Sequence, residues 1–200
     1  MTERVGVQAV QFIIGIILAR LLTPAEFGLV GMLTIFIAVS GIFIESGFGT
    51  ALVQKQDVTY EDECSVFYFN IFISAIAAGL LCVSAPYIAA FYHESILTPL
   101  TQVLSLNLII NAFGLIQVRI LTKDIDFKTQ TKVSILALII SGTIGVYFAI
   151  TGFGVWSLVI QSISNNTLRT AFFWAFNQWR PSWIFSFASL KGMFGYGSKL

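Results

Sequence analysis

Long apolar runs repeat along the chain, separated by short polar punctuation. A run of about 20 apolar residues suits a ~30 Å hydrocarbon core when it winds as a helix. The pattern predicts six such helices, at 5–22, 27–53, 64–90, 97–121, 132–150 and 153–176, and a seventh that opens near Leu190. A polar elbow, Thr23-Pro24-Ala25-Glu26, divides the first run from the second. The second run carries one acid, Glu45, and then breaks into Ser46-Gly47-Phe48-Gly49. A carboxylate facing lipid is costly, so Glu45 either lines a cavity or marks a break in the helix.

Composition agrees with the pattern. Of 200 residues, 56% are hydrophobic and only 10% are charged, against about 25% charged in soluble domains. The expected class is therefore an all-α polytopic membrane protein, a six-helix lobe followed by the start of a seventh helix. A net charge of +1 offers no basic surface for nucleic acid. The first apolar run leads directly into the bundle, so no cleavable signal peptide is expected. Cys64 and Cys82 fall on one predicted helix, about 27 Å apart along it, too far to bridge. With a single histidine, His93, no metal-ligand spacing arises.

Lysine and arginine set the expected orientation. Arg4, Lys55, Arg119, Lys123, Lys128, Lys132, Arg169, Arg180, Lys191 and Lys199 belong to the N-terminus or to the connections after helices 2, 4 and 6. Only Arg20 lies toward the other side. The N-terminus is thus expected in the cytoplasm, with the Thr23–Glu26 elbow outside. Beyond helix 6, Trp183, Phe187, Leu190 and Phe194 recur at helical spacing, with Ser182, Ser186 and Ser189 on another side. This pattern reads either as an amphipathic helix on the cytoplasmic surface or as the flank of helix 7. The expected division is a lobe over 1–176 and a cytoplasmic linker with the start of helix 7 over 177–200, the chain being a piece of a longer transporter.

Most helices carry one polar or small-residue face. Helix 2 aligns Ala38, Gly41, Glu45 and Gly49; small residues let backbones approach and mark a protein-facing side. Glu45 is therefore a candidate coupling or gating carboxylate, with a structural role at the glycine break as the alternative. Helix 6 aligns Gln161, Asn165 and Arg169. A guanidinium matches phosphate geometry, so Arg169 is a candidate anion contact, unless it snorkels to the surface. Helix 4 presents Asn107, Asn111 and Gly114, helix 1 Gln8, Gln11 and Gly15, helix 3 Asn70, Ser74 and Ala77, and helix 5 Ser134, Ser141 and Gly145. Such faces suit a partly hydrated cavity or close helix packing equally. Asp124 and Asp126 form a D-x-D, but the mixed loop around them reads as a solvated charge run. No phosphate-binding loop, serine-hydrolase elbow or zinc-protease motif occurs, so no catalytic residue, metal or cofactor is assigned.

The stretch L-A-R-L-L-T-P-A-E-F-G, followed by a long helix and I-E-S-G-F-G-T-A-L-V-Q, resembles the opening of bacterial polysaccharide exporters. These are the O-antigen and exopolysaccharide flippases of the multidrug/oligosaccharidyl-lipid/polysaccharide exporter superfamily. F-G-V-W-S-L-V at 153–159 and the run at 194–197 fit as well. The resemblance implies a protein of the bacterial inner membrane with twelve to fourteen helices in two six-helix lobes around a central cavity. It implies alternating access that carries a polyprenyl-diphosphate-linked oligosaccharide between leaflets, without covalent chemistry. The lipid-linked substrate, the membrane lipids, and a polysaccharide polymerase with chain-length machinery are the implied partners. Arg20 matches the family's L-A-R and Glu45 its acidic position before the glycine break. Arg169, Asn165, Gln161, Asn107, Asn111, Gln11 and Arg20 form the expected cavity set. The alternatives are a drug/cation antiporter of the same superfamily and an enzyme or scaffold of polysaccharide assembly.

Overall fold

The structure, a computed structural model, describes residues 2–45 (side chains over 6–42), 58–123, 126–187 and 189–190. Among them every regular element is a helix: α1 Thr2–Leu21, α2 Pro24–Glu45, α3 Tyr60–Tyr92, α4 Leu97–Lys123, α5 Phe127–Ile150 and α6 Val155–Phe176. At 1.5 Å per residue each reaches roughly 30 Å or more. Four of them, α2 to α5, are long and apolar enough to cross a membrane; α1 holds a shorter apolar stretch, Gly6–Leu21. The polar residues of α6 lower its hydropathy.

Local chemistry starts the helices where the polar punctuation stands. Thr23 is the N-cap of α2, and Pro24, at the first helical position, gives up no needed N–H. The Thr23 N–H and hydroxyl donate to Glu26 Oε2 at 2.6 and 2.9 Å, and the Glu26 N–H returns to Thr23 Oγ1 at 3.4 Å. This is a capping box. The same device opens α3, where Thr59 and Asp62 exchange hydrogen bonds at 3.2 Å. Glu61, Asp62 and Glu63 in its first turn also favour the helix dipole. His93 closes α3 in the left-handed conformation, φ 57°. Asp126 caps α5 by accepting from the Thr129 N–H at 3.0 Å. This gives the second acid of the D-x-D a structural role; Asp124 lies outside the described residues.

The helices alternate in direction. α3 and α4 form the most extensively packed pair, then α5 with α6, α4 with α6, and α1 with α5; α2 leans on α3, α4 and α6. One core cluster joins Leu33 of α2, Leu81 and Ile88 of α3, Leu97, Leu100 and Leu104 of α4 and Val159 of α6. A second joins α1 to α5 through Ile14, Leu18 and Leu138. The outer surface is the reverse of a soluble protein's. Phe12, Ile13, Ile35, Ile42, Phe72, Leu80, Val83, Tyr87 and Ile150 are all exposed, a contiguous apolar coat that a lipid solvent matches.

Glu26 ties two distant connections together. Its carboxylate stands against Gly154 at the start of α6, where a Cβ would meet Oε1. Gly154 takes φ 56°, ψ −131°, a conformation open only to glycine. At the opposite end Lys132 of α5 lies 5.5 Å from the Phe176 ring of α6. That end gathers Arg119, Lys123, Lys128, Lys132 and Arg180 and is called the basic end below.

The helical spacing of Trp183 and Phe187 is not realised as one helix. Residues 177–186 run without helix, and helix appears only at Phe187 and at 189–190. Pro181 disfavours the helical region for Arg180, and the backbone there is held by other partners. Phe194 and the start of helix 7 lie outside the described residues, as does Ser46–Gly49.

Candidate functional site

A cavity of ≈ 610 Å³ opens among the basic-end halves of α2, α4 and α6. α2 contributes Ala38, Gly41 and Ile42, small enough on that face to leave room. α4 contributes Asn111, Val118 and Arg119. α6 contributes Asn166, Arg169, Thr170 and Phe173. The described lining residues carry the positive charges of Arg119 and Arg169 and no aspartate or glutamate, a lining that favours an anion. Low-dielectric walls concentrate the field of these charges on an anion.

Two walls are clipped together. Thr170 Oγ1 donates to the Ile110 carbonyl at 3.1 Å, and the Trp174 indole N–H donates to the Phe113 carbonyl at 2.9 Å. Gly114 permits this approach, because a Cβ there would lie 2.8 Å from Thr170 Oγ1. The half-buried Arg169 packs its guanidinium 5.5 Å from the Phe173 ring, and its buried Nε has no hydrogen-bond partner among the described residues. A buried donor of this kind is costly when unsatisfied, and it is ready for an acceptor entering the cavity.

The expected set divides. Arg169 and Asn111 line the cavity. Asn165 does not; Asn166, one position on, does. Both lie within about 60° of Arg169 on a helix that turns about 100° per residue, and the packing of α6 on α4 selects between them. Gln161 lies against α5, with its Cβ 2.8 Å from where a Gly145 Cβ would stand. Asn107 is buried and donates to Ser162 Oγ at 3.1 Å, joining α4 to α6. Gln11 is exposed beside Gln8 and Gly15 in a separate shallow groove of α1. Arg20 is exposed on the last turn of α1. Glu45 ends α2. Its side chain lies outside the described ones, while Ala38 and Gly41 of the face assigned to it do line the cavity.

Arg119 is the lining residue that the sequence reading left among the flanking charges. A signal was present. Asn111, Leu115 and Arg119 repeat on α4 the i, i+4, i+8 spacing of Gln161, Asn165 and Arg169 on α6, and all three of these α4 residues line the cavity. The paired arginines thus come from two helices, a disposition that can grip one polyanionic group from two sides.

Residues 17–200 match the family described as polysaccharide biosynthesis protein. The chain is 32% identical over 197 residues to the teichuronic acid biosynthesis protein TuaB of Bacillus subtilis, covering 96% of this chain and 40% of that protein. It is 27% identical over 184 residues to the succinoglycan biosynthesis transport protein ExoT of Rhizobium meliloti, covering 92% and 37%. To the lipopolysaccharide biosynthesis protein WzxC of Escherichia coli it is 22% identical over 190 residues, covering 92% and 38%. The chain thus spans about two fifths of the length of these relatives. No solved structure matches it. With its coat of apolar helices and a family match over nearly its whole length, the chain belongs to the polysaccharide biosynthesis proteins of the exporter type, multi-pass proteins of the bacterial inner membrane.

Proposed function

We propose that the chain forms a six-helix lobe, over 1–176, of a carrier that moves a polyprenyl-diphosphate-linked oligosaccharide across the inner membrane. It does so without covalent chemistry, by alternating access against a second lobe. The observation that carries this reading is a cavity with Arg119 and Arg169 on different walls and no aspartate or glutamate among its described lining residues. A diphosphate offers acceptors to both guanidiniums, and the Nε of Arg169, without a partner among the described residues, gains one. Asn111, Asn166 and Thr170 supply neutral hydrogen-bonding groups of the kind that suit sugar hydroxyls. The polyprenyl tail stays in the bilayer beside the apolar helix faces. The excess of lysine and arginine at the basic end supports a cytoplasmic position for that end, from which the cavity would take its load at the inner leaflet. Glu45, at the end of the α2 wall, is the candidate coupling or gating group in this scheme. ExoT, a succinoglycan biosynthesis transport protein, and WzxC, a lipopolysaccharide biosynthesis protein, support the same class.

The test is leaflet translocation of a labelled polyprenyl-diphosphate oligosaccharide by the full-length protein in vesicles. A charge-assisted hydrogen bond contributes roughly 1.5–3 kcal/mol, so Arg169→Ala and Arg119→Ala are each expected to slow transport about tenfold or more. Lysine at either position should restore part of the rate, because charge survives while the planar fork is lost. Unchanged transport in both alanine variants refutes the site. Ion-coupled efflux of a cationic dye, unaffected by either variant, would point instead to a drug antiporter.

A further inference from the structure

The segment after α6 is held in place by its backbone and turns its apolar side chains outward. Arg180 donates to the carbonyls of Trp174, Asn177 and Trp179 at 2.9, 2.8 and 2.7 Å. This satisfies the carbonyls left open where α6 ends. The Trp179 indole N–H donates to Glu63 at 2.8 Å, and Gln117 donates to the Trp179 carbonyl at 3.3 Å. The Tyr60 hydroxyl bonds the Arg180 carbonyl and Ser182, and the Ser186 N–H donates to Ser65 Oγ at 2.9 Å. Trp179 packs inward on Phe67, with ring centroids 5.6 Å apart, and Leu190 is buried. The strap is thereby pinned across the first turns of α3 and the ends of α4 and α6.

The outward side chains follow a different rule. Trp183 is 95% exposed, Ile184 44%, Phe185 54% and Phe187 77%. Only Ser186, which bonds Ser65, interrupts them. The Trp183 ring stacks on Tyr68 of α3 at 5.7 Å and 21°. From there exposed Phe72, Ile76, Leu80 and Val83 continue up α3. The patch is thus the terminal, aromatic-rich end of a strip that faces acyl chains along its length.

A non-helical backbone cannot lie in lipid hydrocarbon, where its polar groups would go unsatisfied. Large apolar side chains gain nothing by pointing into water. Both conditions hold together only at the lipid–water boundary, where aromatic rings with a polar edge concentrate. We infer that Trp183, Ile184, Phe185 and Phe187 form an interfacial docking surface that inserts into the headgroup–acyl boundary of the leaflet at the basic end. The pinned strap then sets the level of the bundle in the bilayer. Trp174 and Arg180 sit at that boundary, and Arg169 lies about 10 Å from the boundary end of α6. Arg169 therefore lies inward of the level of the lipid phosphates.

The test uses the full-length protein in phosphatidylcholine/phosphatidylglycerol vesicles whose lipids carry bromine either near the headgroup or near the bilayer centre. Subtracting the emission of Trp183→Phe from that of the parent isolates Trp183 from the other tryptophans. The expected result is quenching about twofold stronger by the shallow bromines than by the deep ones, and little quenching by aqueous iodide. Stronger quenching by the deep bromines, quenching by iodide alone, or quenching by neither overturns the inference; the last would mean a protein cover. A nitroxide on Phe187→Cys, in a chain whose native Cys64 and Cys82 are replaced by serine, reads the same surface. Collision with dissolved oxygen should exceed collision with a water-soluble nickel chelate, and the reverse order refutes the docking surface. Neither readout depends on transport, so the result stands or falls separately from the carrier reading.

Discussion

Replacing Gly145 by alanine tests how α5 and α6 are held together. The added methyl carbon would stand 2.8 Å from Gln161 Cβ and 2.9 Å from its Cγ, where ordinary contacts begin near 3.4 Å. The deficit is about 0.6 Å at an atom bonded directly to the α6 backbone. No rotamer change relieves it, so the two helices must separate. Overpacking of this size costs about 1–3 kcal/mol. Alanine recovers about 0.5–1 kcal/mol of helix propensity over glycine, so the single variant nets only about 0–2.5 kcal/mol of destabilisation. The decisive quantity is therefore the coupling. Gln161→Gly alone should cost about 1 kcal/mol or more through helix propensity and lost packing. In Gly145→Ala/Gln161→Gly the small residue has moved across the interface and the collision is gone. The double variant should be more stable than the sum of the singles by about 1–3 kcal/mol. Reversible unfolding of the full-length protein in mixed micelles, with SDS as denaturant, measures all four corners of the cycle. Additivity to within about 0.5 kcal/mol would refute the close contact. Gln161→Ala keeps the Cβ and loses the Cγ methylene and the amide; it should leave transport near normal, because Gln161 packs against α5 and is not among the residues that line the cavity.

Three further outcomes follow from the helix ends. Gly154→Ala forces a side chain into φ 56°, ψ −131° and against the Glu26 carboxylate; it should cost about 1–3 kcal/mol in the same unfolding assay, and a neutral effect would refute the Glu26–Gly154 contact. Thr59→Ala removes half of the α3 capping box and should cost about 1 kcal/mol, with Thr59→Ser restoring most of it. Hydrogen bonds from Thr129 and, to a lesser extent, the charge of Lys128 hold the Asp126 carboxyl below the ordinary aspartate range. Its folded pKa is depressed, so its contribution is complete above the unfolded value and is lost as pH falls through the folded one. Thermal unfolding midpoints of the parent should therefore drop more steeply on acidification in that range than those of Asp126→Asn; parallel profiles would refute the assignment.

Which features of this chain could be read in its sequence depended on whether the forces behind them act locally. Apolar runs of bilayer length are a property of consecutive residues, so the six helices appear where the pattern places them. Their ends move by a few residues because capping groups, Thr23 with Glu26, Thr59 with Asp62, and Asp126, reach just beyond the apolar run. The strap after α6 was less legible. Helical spacing of Trp183 and Phe187 competes there with Pro181 and with hydrogen bonds to Tyr60, Ser65 and Gln117, partners far away in the chain. The candidate site was legible as polar helix faces but not as an assembled cavity. Arg169 and Asn111 were found by their spacing, while Arg119 passed for a flanking charge because sequence does not show that its face meets that of Arg169.

The sequence by itself determined the class of this protein: a membrane-spanning helical bundle with arginine and amide groups on its helix faces and a family signature around Thr23–Glu26. Tertiary structure decided which faces meet. Each helix face is separated from the next by only about 100° per residue, so the neighbour it packs against chooses Asn166 over Asn165 for the cavity. The same choice turns Gln161 toward Gly145 and leaves Gln11 in a separate groove of α1. It also gives the Thr23–Glu26 elbow its second role. The capping box is local, but the approach of Glu26 to Gly154 joins residues from distant parts of the chain, and only the packed bundle brings them together.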